Sequence, residues 1–453
     1  RGYHRGIEIY KKNNEEIFAV FVRQSIITLI NIFNCEEEFL KKTIKIKETV
    51  SAPILIKENI AYILINGSAP KAYDLSSGNI IWEANIEKKV LSKLKYQNLN
   101  KEIKWDVWGG GVIDKKYNQL IFSTANAKPS WSSNNRLGPN LFYNSVVSVD
   151  LDTGKYNWHF QEIEHDLWNL DMAAPPILLN FDQIDYVAQA TKSGQLITLI
   201  RKNGKPTEEV LEKKFDLNDQ NEKTFTIKRY FPSWLTYSRN NFTHDDINNL
   251  NKKFSKEAIK VISESMIGDT LPLSKGKNYI YYGIHGGTQW PGIAATPGGV
   301  VIIPSNNIAY RVKLKDPDDF DFKKEFKALG SDLLNIKFNN YKSFKYTVKK
   351  VLKRKDKILD YKKTNIEGWN RFENAEGIPL NRPPWGILTA IDLKNKKILW
   401  KIPHGSYEKL KDKGFEQNTG SEIFGSPVIT SGGVIFIAGT DDKMIRGYDL
   451  YSG

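Results

Sequence analysis

Cysteine is nearly absent from this sequence, because Cys35 is the single one among 453 residues. A lone cysteine cannot form an intrachain disulfide, and the Cys-x-x-Cys-His motif that attaches haem is missing. Long hydrophobic runs are missing as well, since no stretch of about 18 apolar residues occurs, so no transmembrane segment is expected in this chain. The apolar stretch 17–33 is interrupted by polar residues and is predicted to form two strands.

The chain is basic, with 66 Lys and Arg against 52 Asp and Glu and a formal net charge of +14. A basic surface can attract nucleic acid or an anionic membrane. The lysines are dispersed through predicted loops, however, and no DNA- or RNA-binding motif accompanies them. We therefore expect a solvated basic surface and no nucleic-acid partner.

Aromatic residues are plentiful and favour strands over a helical bundle, with 11 Trp and 21 Tyr. Within this background a motif repeats, in which a Gly lies four positions after an Asp and a Trp lies eight positions after it. The copies begin at Asp74, Asp150, Asp392 and Asp449. The third copy has Lys396 in place of Gly, and weaker copies are expected at residues 198–204 and around Asn31. The last copy stops before its Trp, and the chain is expected to be truncated at both ends.

Each copy of the motif predicts a strand that ends at Asp, a tight turn with Gly at positive φ, and a next strand that carries Trp. Ordinary hairpins in a sandwich are one explanation of this pattern. Identical spacing in three copies favours a β-propeller, in which four-stranded sheets repeat around an axis. The expected fold is therefore all-β, with a single domain over residues 1–453. Residues 205–277 and 313–382 break the rhythm and are predicted to be loop or helical excursions within it.

Residues 165–171 form the densest cluster of chemical groups, with the sequence His-Asp-Leu-Trp-Asn-Leu-Asp. They follow Trp-His-Phe-Gln at residues 158–161 and resemble the active-site segment of the pyrroloquinoline-quinone (PQQ) dehydrogenases, which reads His-Asp-x-Trp-Asp-x-Asp. The resemblance covers most of the chain and is strongest at residues 105–200 and 383–453. It implies an eight-bladed propeller of the quinoprotein type, close to the membrane-type glucose and polyol dehydrogenases, and a periplasmic location.

The resemblance also implies which residues contact the cofactor. Trp108, in a Trp-Gly-Gly segment, is expected to form the floor under the flat quinone, although a Trp that packs between blades is the alternative. Lys192, in a Lys-x-Gly segment typical of the sugar and polyol branch, is expected to contact the quinone carbonyl oxygens. Arg5 is expected to contact a PQQ carboxylate. Trp385 and Asn418 lie in late-blade signatures and are assigned to the cofactor with them.

Asn126 is the expected metal ligand, because residues 124–129 resemble the family's Thr-Gly-Asn-Pro-x-Pro, whose Asn oxygen binds calcium. Hard cations prefer such oxygens. An Asn in an ordinary turn is the alternative, and Mg²⁺ or a lanthanide could replace Ca²⁺. Residues 65–70 lack the acidic ligand of several family branches, so Asn66 and Ser68 would bind a divalent ion more weakly.

The catalytic aspartate of the family is replaced here by Asn169, and an amide cannot accept the substrate's hydroxyl proton at neutral pH. Asp171 and Asp166 are the nearest acids in the sequence. The leading hypothesis is a PQQ-dependent dehydrogenase that oxidises a sugar or polyol and passes electrons to a quinone or other acceptor. The alternatives are a catalytically impaired propeller that binds PQQ or a sugar, and a non-enzymatic scaffold, which Trp108, Asn126 and Lys192 in register argue against.

Overall fold

Short antiparallel strands account for most of the regular structure of the chain. The computed structural model describes residues 6–12, 16–32, 42–87, 90–91, 105–128, 130–131, 138–216, 226–232, 235–271, 273–274, 276–314, 327–331, 348–349, 351–352, 366–415 and 418–453. Helices are few and short in these residues, so the predicted all-β class is confirmed.

Six antiparallel sheets follow one another along the described chain, and in five of them the strands are consecutive in sequence. The first sheet contains β1 (Glu8–Lys11), β2 (Ile17–Asn31) and β3 (Lys42–Val50). The second contains β4 (Leu55–Lys57), β5 (Ile60–Ile63), β6 (Lys71–Asp74) and β7 (Ile80–Glu83). The third contains β8 (Gly111–Asp114), β9 (Gln119–Ser123), β10 (Ser145–Asp150) and β11 (Tyr156–Gln161). The fourth sheet contains β12 (Ile177–Phe181), β13 (Ile184–Ala190) and β14 (Leu196–Ile200). The fifth contains β19 (Ala294–Ala295), β20 (Val300–Asn306), β23 (Gly386–Asp392) and β24 (Lys397–Pro403). The sixth contains β25 (Val428–Ile429), β26 (Val434–Ile437) and β27 (Arg446–Asp449).

The first strands of these sheets contact one another in chain order: β1 with β4, β4 with β8, β8 with β12, β12 with β19, and β19 with β25. Each sheet is therefore one blade of a β-propeller, and its first strand lies nearest the axis. The second and third strands are covered on both faces by the neighbouring blades, which is why β9 and β20 are buried along their whole length. The six blades fit the predicted propeller, while the count of eight stays a prediction.

The repeated Trp connects the second, third and fifth blades each to the next one. Its indole N–H donates to a backbone carbonyl of the neighbouring blade, over 2.9 Å from Trp82 to Leu151, 3.1 Å from Trp158 to Arg201 and 3.0 Å from Trp400 to Leu450. The Gly of that neighbour's turn has positive φ, +68° at Gly154 and +67° at Gly204. A Cβ at Gly154 would lie 2.6 Å from the Trp82 ring. The Trp of the repeat thus packs between adjacent blades, and the predicted weaker copy at residues 198–204 is confirmed.

Two excursions combine into one additional sheet beside the fifth blade. The first contains the hairpin β15 (Val210–Asp216) and β16 (Thr226–Pro232), a 3₁₀ helix (His244–Asp246), helix α1 (Lys252–Ile262) and β17 (Ser265–Ile267). The added sheet has the order β17, β18 (Asn278–Tyr281), β21 (Tyr310–Leu314) and β22 (Ile366–Arg371). A short helix α2 (Glu408–Lys411) follows β24. Most of the predicted excursion 313–382 lies outside the described residues.

An N-terminal cap and the spacing of its apolar residues explain why α1 forms a helix. Asn251 caps it by accepting a hydrogen bond from the backbone N–H of Phe254 over 2.8 Å. Phe254, Ala258 and Ile262 recur every fourth residue and are buried, while most of the other residues of the helix are polar. Among the described residues, no helix is both long enough and apolar enough to cross a bilayer.

The prediction of two strands for residues 17–33 is wrong. A single strand, β2, runs from Ile17 to Asn31 and pairs with β1 in its first half and with β3 in its second. Its register against β3 shifts between Gln24 and Ile26. The polar residues therefore mark a bulge, which bends a strand without ending it.

We predict that Gly204→Ala destabilises the protein more than Gly78→Ala does. Both glycines have positive φ, so either substitution costs about 1–2 kcal/mol of backbone strain. A Cβ at Gly204 would also lie 2.2 Å from the Trp158 ring, whereas a Cβ at Gly78 meets nothing closer than 3.5 Å. Overpacking should cost Gly204→Ala a further ~1–3 kcal/mol in chemical denaturation. Equal losses for the two variants would contradict the docking role of this contact.

Candidate active site

The candidate residues lie in connections that open at one end of the propeller. Trp108 precedes β8, Asn126 follows β9, residues 165–171 join β11 to β12, and Lys192 lies in the hairpin between β13 and β14. These connections either enter a first strand or join a second strand to a third. Because strands alternate in direction within a blade, both kinds of connection meet at the same end. The Asp-to-Gly turns of the repeat join third to fourth strands and lie at the other end.

The acidic segment is a tight loop organised by Asp166. Its buried carboxylate accepts hydrogen bonds from the backbone N–H groups of Trp168 over 2.7 Å and Leu170 over 2.8 Å. The Asn144 amide donates to the same carboxylate over 3.1 Å. Burial raises the pKa of Asp166 although these donors oppose it. With three donors on its two oxygens, Asp166 shapes the loop.

Asn169 occupies a left-handed backbone position in this loop, with φ of +61°. Asn and Asp are the side chains that most readily adopt this conformation after Gly. The carbonyl oxygen of Asn169 accepts a hydrogen bond from the Lys192 ammonium over 3.2 Å. The site therefore uses the backbone of residue 169, and its side chain is an amide at the position where the sequence resemblance predicts a carboxylate.

The carboxylate of Asp171 accepts hydrogen bonds that hold together three of the connections at this end of the propeller. One carboxylate oxygen accepts from the backbone N–H of Asn126 over 2.6 Å, and the other accepts from the Lys192 ammonium. Burial raises the pKa of Asp171, but the charges of Lys192 and Lys128 outweigh it and leave that pKa below its ordinary value. Asp171 is therefore held ionised, and a carboxylate held ionised is a weak proton acceptor.

Lys192 is almost completely buried and sits beside the predicted floor of the site. Its ammonium nitrogen lies 5.8 Å from the centroid of the Trp108 ring. That ring is half-buried. A Cβ on Gly109 would lie 2.1 Å from the carbonyl oxygen of Ala173, so Gly109 lets the Trp108 loop press against the acidic loop. The structure thus brings Trp108, Lys192 and Asp171 together as one unit.

Asp106 belongs to the same open end, and sequence reasoning missed it. Trp105 and Val107 are buried, whereas Asp106 and Trp108 are half-buried, so the two pairs face opposite ways along an extended segment. One carboxylate oxygen of Asp106 accepts from the Gly67 N–H over 3.2 Å. Burial raises the pKa of Asp106, the Lys128 charge lowers it, and the Asp171 charge raises it, with a net increase. The period-two pattern of residues 105–108 was the signal that could have revealed it.

Lys128 is the second residue that sequence reasoning missed. Its ammonium group donates to the amide oxygen of Asn126 over 2.9 Å and to the Ser130 hydroxyl over 3.2 Å. Asn126 is completely buried. The oxygen predicted to hold a metal ion is therefore the acceptor of an ammonium group in this structure.

The remaining predicted cofactor residues lie in different surroundings. Trp385 is completely buried, and its indole N–H donates to the Asn381 carbonyl over 2.7 Å. Its backbone N–H donates to the carbonyl of Thr419, next to Asn418, which is exposed with φ of +102°. Arg5 lies outside the described residues. The assignment of these three to the cofactor stays a prediction.

Comparison with known proteins identifies the family. The sequence model described as "PQQ: Glucose/ethanol/alcohol dehydrogenase, beta-propeller domain" matches residues 46–453. The propeller and its Trp108–Lys192–Asp171 unit thus belong to a quinoprotein domain, and the chain is a member of this PQQ β-propeller family. The predicted resemblance and the quinoprotein type of fold are confirmed.

Several characterised proteins are similar in sequence. Quinate/shikimate dehydrogenase (quinone) of Acinetobacter baylyi is 26% identical over 418 residues, which cover 88% of this chain and 48% of that protein. Quinoprotein glucose dehydrogenase of Escherichia coli K12 is 22% identical over 84% of this chain and 47% of its own length. The chain therefore spans about half the length of these relatives.

Solved structures show the same fold. A europium-containing methanol dehydrogenase matches with a TM-score of 0.58 and 15% identity, over 99% of this chain and 69% of its own. Quinohemoprotein alcohol dehydrogenase from Comamonas testosteroni matches with a TM-score of 0.55 and 17% identity, over 99% and 58%. The family and these neighbours imply PQQ and a metal ion as the groups that such a propeller binds.

The described residues fit PQQ better than they fit a divalent metal ion. The half-buried Trp108 ring offers a flat surface, and Lys192 offers a positive charge beside it, as a flat polyanion requires. For the metal, Asn126 is bonded to Lys128 and both oxygens of Asp171 are occupied. Within the described part of the chain, no three His, Cys, Asp or Glu side chains are grouped as a metal site requires.

We predict that Asp171→Asn destabilises the protein by about 3–5 kcal/mol, because it leaves the buried Lys192 charge without its partner. Lys192→Met in the same chain should recover much of that loss. The four proteins of this double-mutant cycle are compared by chemical denaturation, with a coupling of ~1–3 kcal/mol expected. Additive losses would show that the pair is not coupled.

Proposed function

We propose that this chain is the cofactor-binding propeller of a PQQ-dependent dehydrogenase that oxidises a hydroxyl group of a sugar or polyol. Electrons would pass to a quinone or another acceptor. The observation that carries the proposal is the buried Lys192 ammonium, which Asp171 and the Asn169 carbonyl hold beside the Trp108 ring. Family membership and relatives named as glucose and quinate dehydrogenases support it.

The quinone of PQQ, when bound, supplies the two-electron acceptor for the hydroxyl carbon. The residues of the chain provide binding and electrostatics. The Trp108 ring gives a flat surface for stacking, and the Lys192 ammonium stabilises negative charge that develops on a carbonyl oxygen next to it. Because Asp171 fixes Lys192 in advance, little reorganisation is needed when that charge appears.

The hydroxyl proton requires an acceptor, and Asp106 is the acid that the geometry favours. Asp171 is held ionised by Lys192, and Asp166 is bonded to three N–H donors. Asp106 is half-buried on the side of the segment that carries Trp108, and its hydrogen bond from Gly67 involves one oxygen only. We therefore place proton acceptance on Asp106, and the roles predicted for Asp166 and Asp171 become structural.

The substrate class and location belong to the same proposal. Lys192 stands where the methanol-oxidising branch carries Arg, which favours a sugar or polyol. Relatives include a glycerol dehydrogenase large subunit of Gluconobacter oxydans, 25% identical over 84% of this chain. A periplasmic location is proposed because such relatives are expected to work there.

A propeller that binds PQQ without turnover is the second candidate, and Asn169 is the observation that favours it. Its amide cannot act as a base, and its backbone oxygen is already bonded to Lys192. The deciding experiment reconstitutes the full-length protein with PQQ, both in EDTA and with Ca²⁺ or a lanthanide, and measures dye-linked reduction across sugars and polyols. Turnover supports the dehydrogenase. Bound PQQ without turnover supports the second candidate, and absence of PQQ binding contradicts both.

We predict that Asp106→Asn lowers turnover by about 100-fold or more while PQQ affinity changes little, because a general base typically contributes that much. Asn169→Asp is the matched comparison, since it adds a carboxylate at a backbone position that Asp tolerates. A gain of turnover in Asn169→Asp together with an unchanged rate in Asp106→Asn would place the defect at residue 169 and remove Asp106 from the mechanism.

A further inference from the structure

We propose that the ammonium group of Lys128 replaces the divalent metal ion in this site, so that the chain binds PQQ without calcium, magnesium or a lanthanide. The part that concerns PQQ rests on the function proposed above. The part that concerns the metal ion rests on the described contacts alone.

The first argument is that the predicted ligand atom is occupied. The amide oxygen of Asn126 accepts a hydrogen bond from Lys128 over 2.9 Å, and the Ser130 hydroxyl accepts one from the same ammonium over 3.2 Å. Asn126 is completely buried and its backbone N–H is bonded to Asp171, so its side chain has little freedom to turn elsewhere. A metal ion at this oxygen would have to displace the ammonium group.

The second argument is that too few oxygens remain for a hard cation. Ca²⁺ takes about six to eight oxygen ligands and usually several carboxylates, and Mg²⁺ takes about six in strict geometry. Asp171 is shared between Asn126 and Lys192, and residue 169 is an amide. Residues 65–70 carry no acid. Asp106 keeps one oxygen outside its hydrogen bond from Gly67. With that oxygen added, the described residues still lack the ligand number that a divalent ion needs.

The third argument is electrostatic. The positive charge of Lys128 interacts with two acids of the site, Asp171 and Asp106. A cation at this position fulfils two electrostatic roles of a bound metal ion. It balances the acids and presents positive charge to an anionic ligand. An ammonium group anchored by Asn126 and Ser130 supplies that charge with hydrogen bonds instead of coordination.

The metal-binding experiment uses the full-length protein without PQQ. Terbium binding is followed by Trp-sensitised luminescence, and calcium by equilibrium dialysis with elemental analysis. We expect no stoichiometric site in the wild type and one new site in Lys128→Asp, which frees the Asn126 oxygen and adds a carboxylate. Lys155→Asp makes the same charge change on an exposed residue in a turn at the opposite end and should gain no site. Thermal unfolding confirms that each variant is folded.

The cofactor-binding experiment titrates PQQ into the wild type in EDTA, in calcium and in lanthanum, and follows quenching of Trp fluorescence. We expect the three affinities to agree within about threefold, and Lys128→Ala to weaken binding in EDTA by about tenfold or more. Lys155→Ala should leave it unchanged. Loss of PQQ binding in EDTA and its recovery with calcium would overturn the inference.

The two proposals fail in different ways. A stoichiometric calcium or terbium site in the wild type overturns the replacement of the metal by Lys128, whether or not PQQ binds. If no condition gives PQQ binding, the proposed function fails, and the metal titrations of the wild type and Lys128→Asp still decide the role of Lys128. Metal-independent PQQ binding that Lys128→Ala weakens supports both.

Discussion

The buried ion pair between Asp171 and Lys192 is the contact on which the geometry of the site depends. It joins the β11–β12 connection to the β13–β14 hairpin, and the Asn126 N–H adds the β9–β10 connection. Such pairs contribute little net stability, because desolvation offsets most of the attraction. They do penalise any arrangement in which either charge is unpaired. The pair therefore selects one relative position for three loops that belong to two blades.

Three aspartates in this small region differ because their surroundings differ. Charges next to Asp171 lower its pKa, whereas burial raises the pKa of Asp166 and of Asp106. The oxygens of Asp166 accept hydrogen bonds mainly from the backbone of its own loop. Asp106 lies on the same half-buried side of its segment as Trp108. Neighbouring carboxylates commonly divide structural and chemical roles in this way. With an amide at residue 169, the site thus still contains acids of several kinds.

The sequence predicted the features that depend on local spacing. The Asp-Gly-Trp period located the contacts between Trp158 and the turn at Gly204, because turn chemistry and strand length fix both partners. Resemblance to a family located Trp108 and Lys192. Lys128 escaped, because which oxygen a long side chain reaches depends on how its loop folds. The prediction of two strands in place of β2 was wrong because polar residues occur both at bulges and at strand ends.

The additional sheet escaped for a different reason, namely that its strands come from distant parts of the chain. It also interleaves with the fifth blade, since β19 and β20 lie between β18 and β21 in sequence, and β21 and β22 lie between β20 and β23. Neither sheet can be completed or dissolved by moving one contiguous segment. Hydrogen exchange should therefore find the two sheets opening as one cooperative unit. The additional sheet therefore requires two separate segments of the chain, one before β19 and one between β20 and β23.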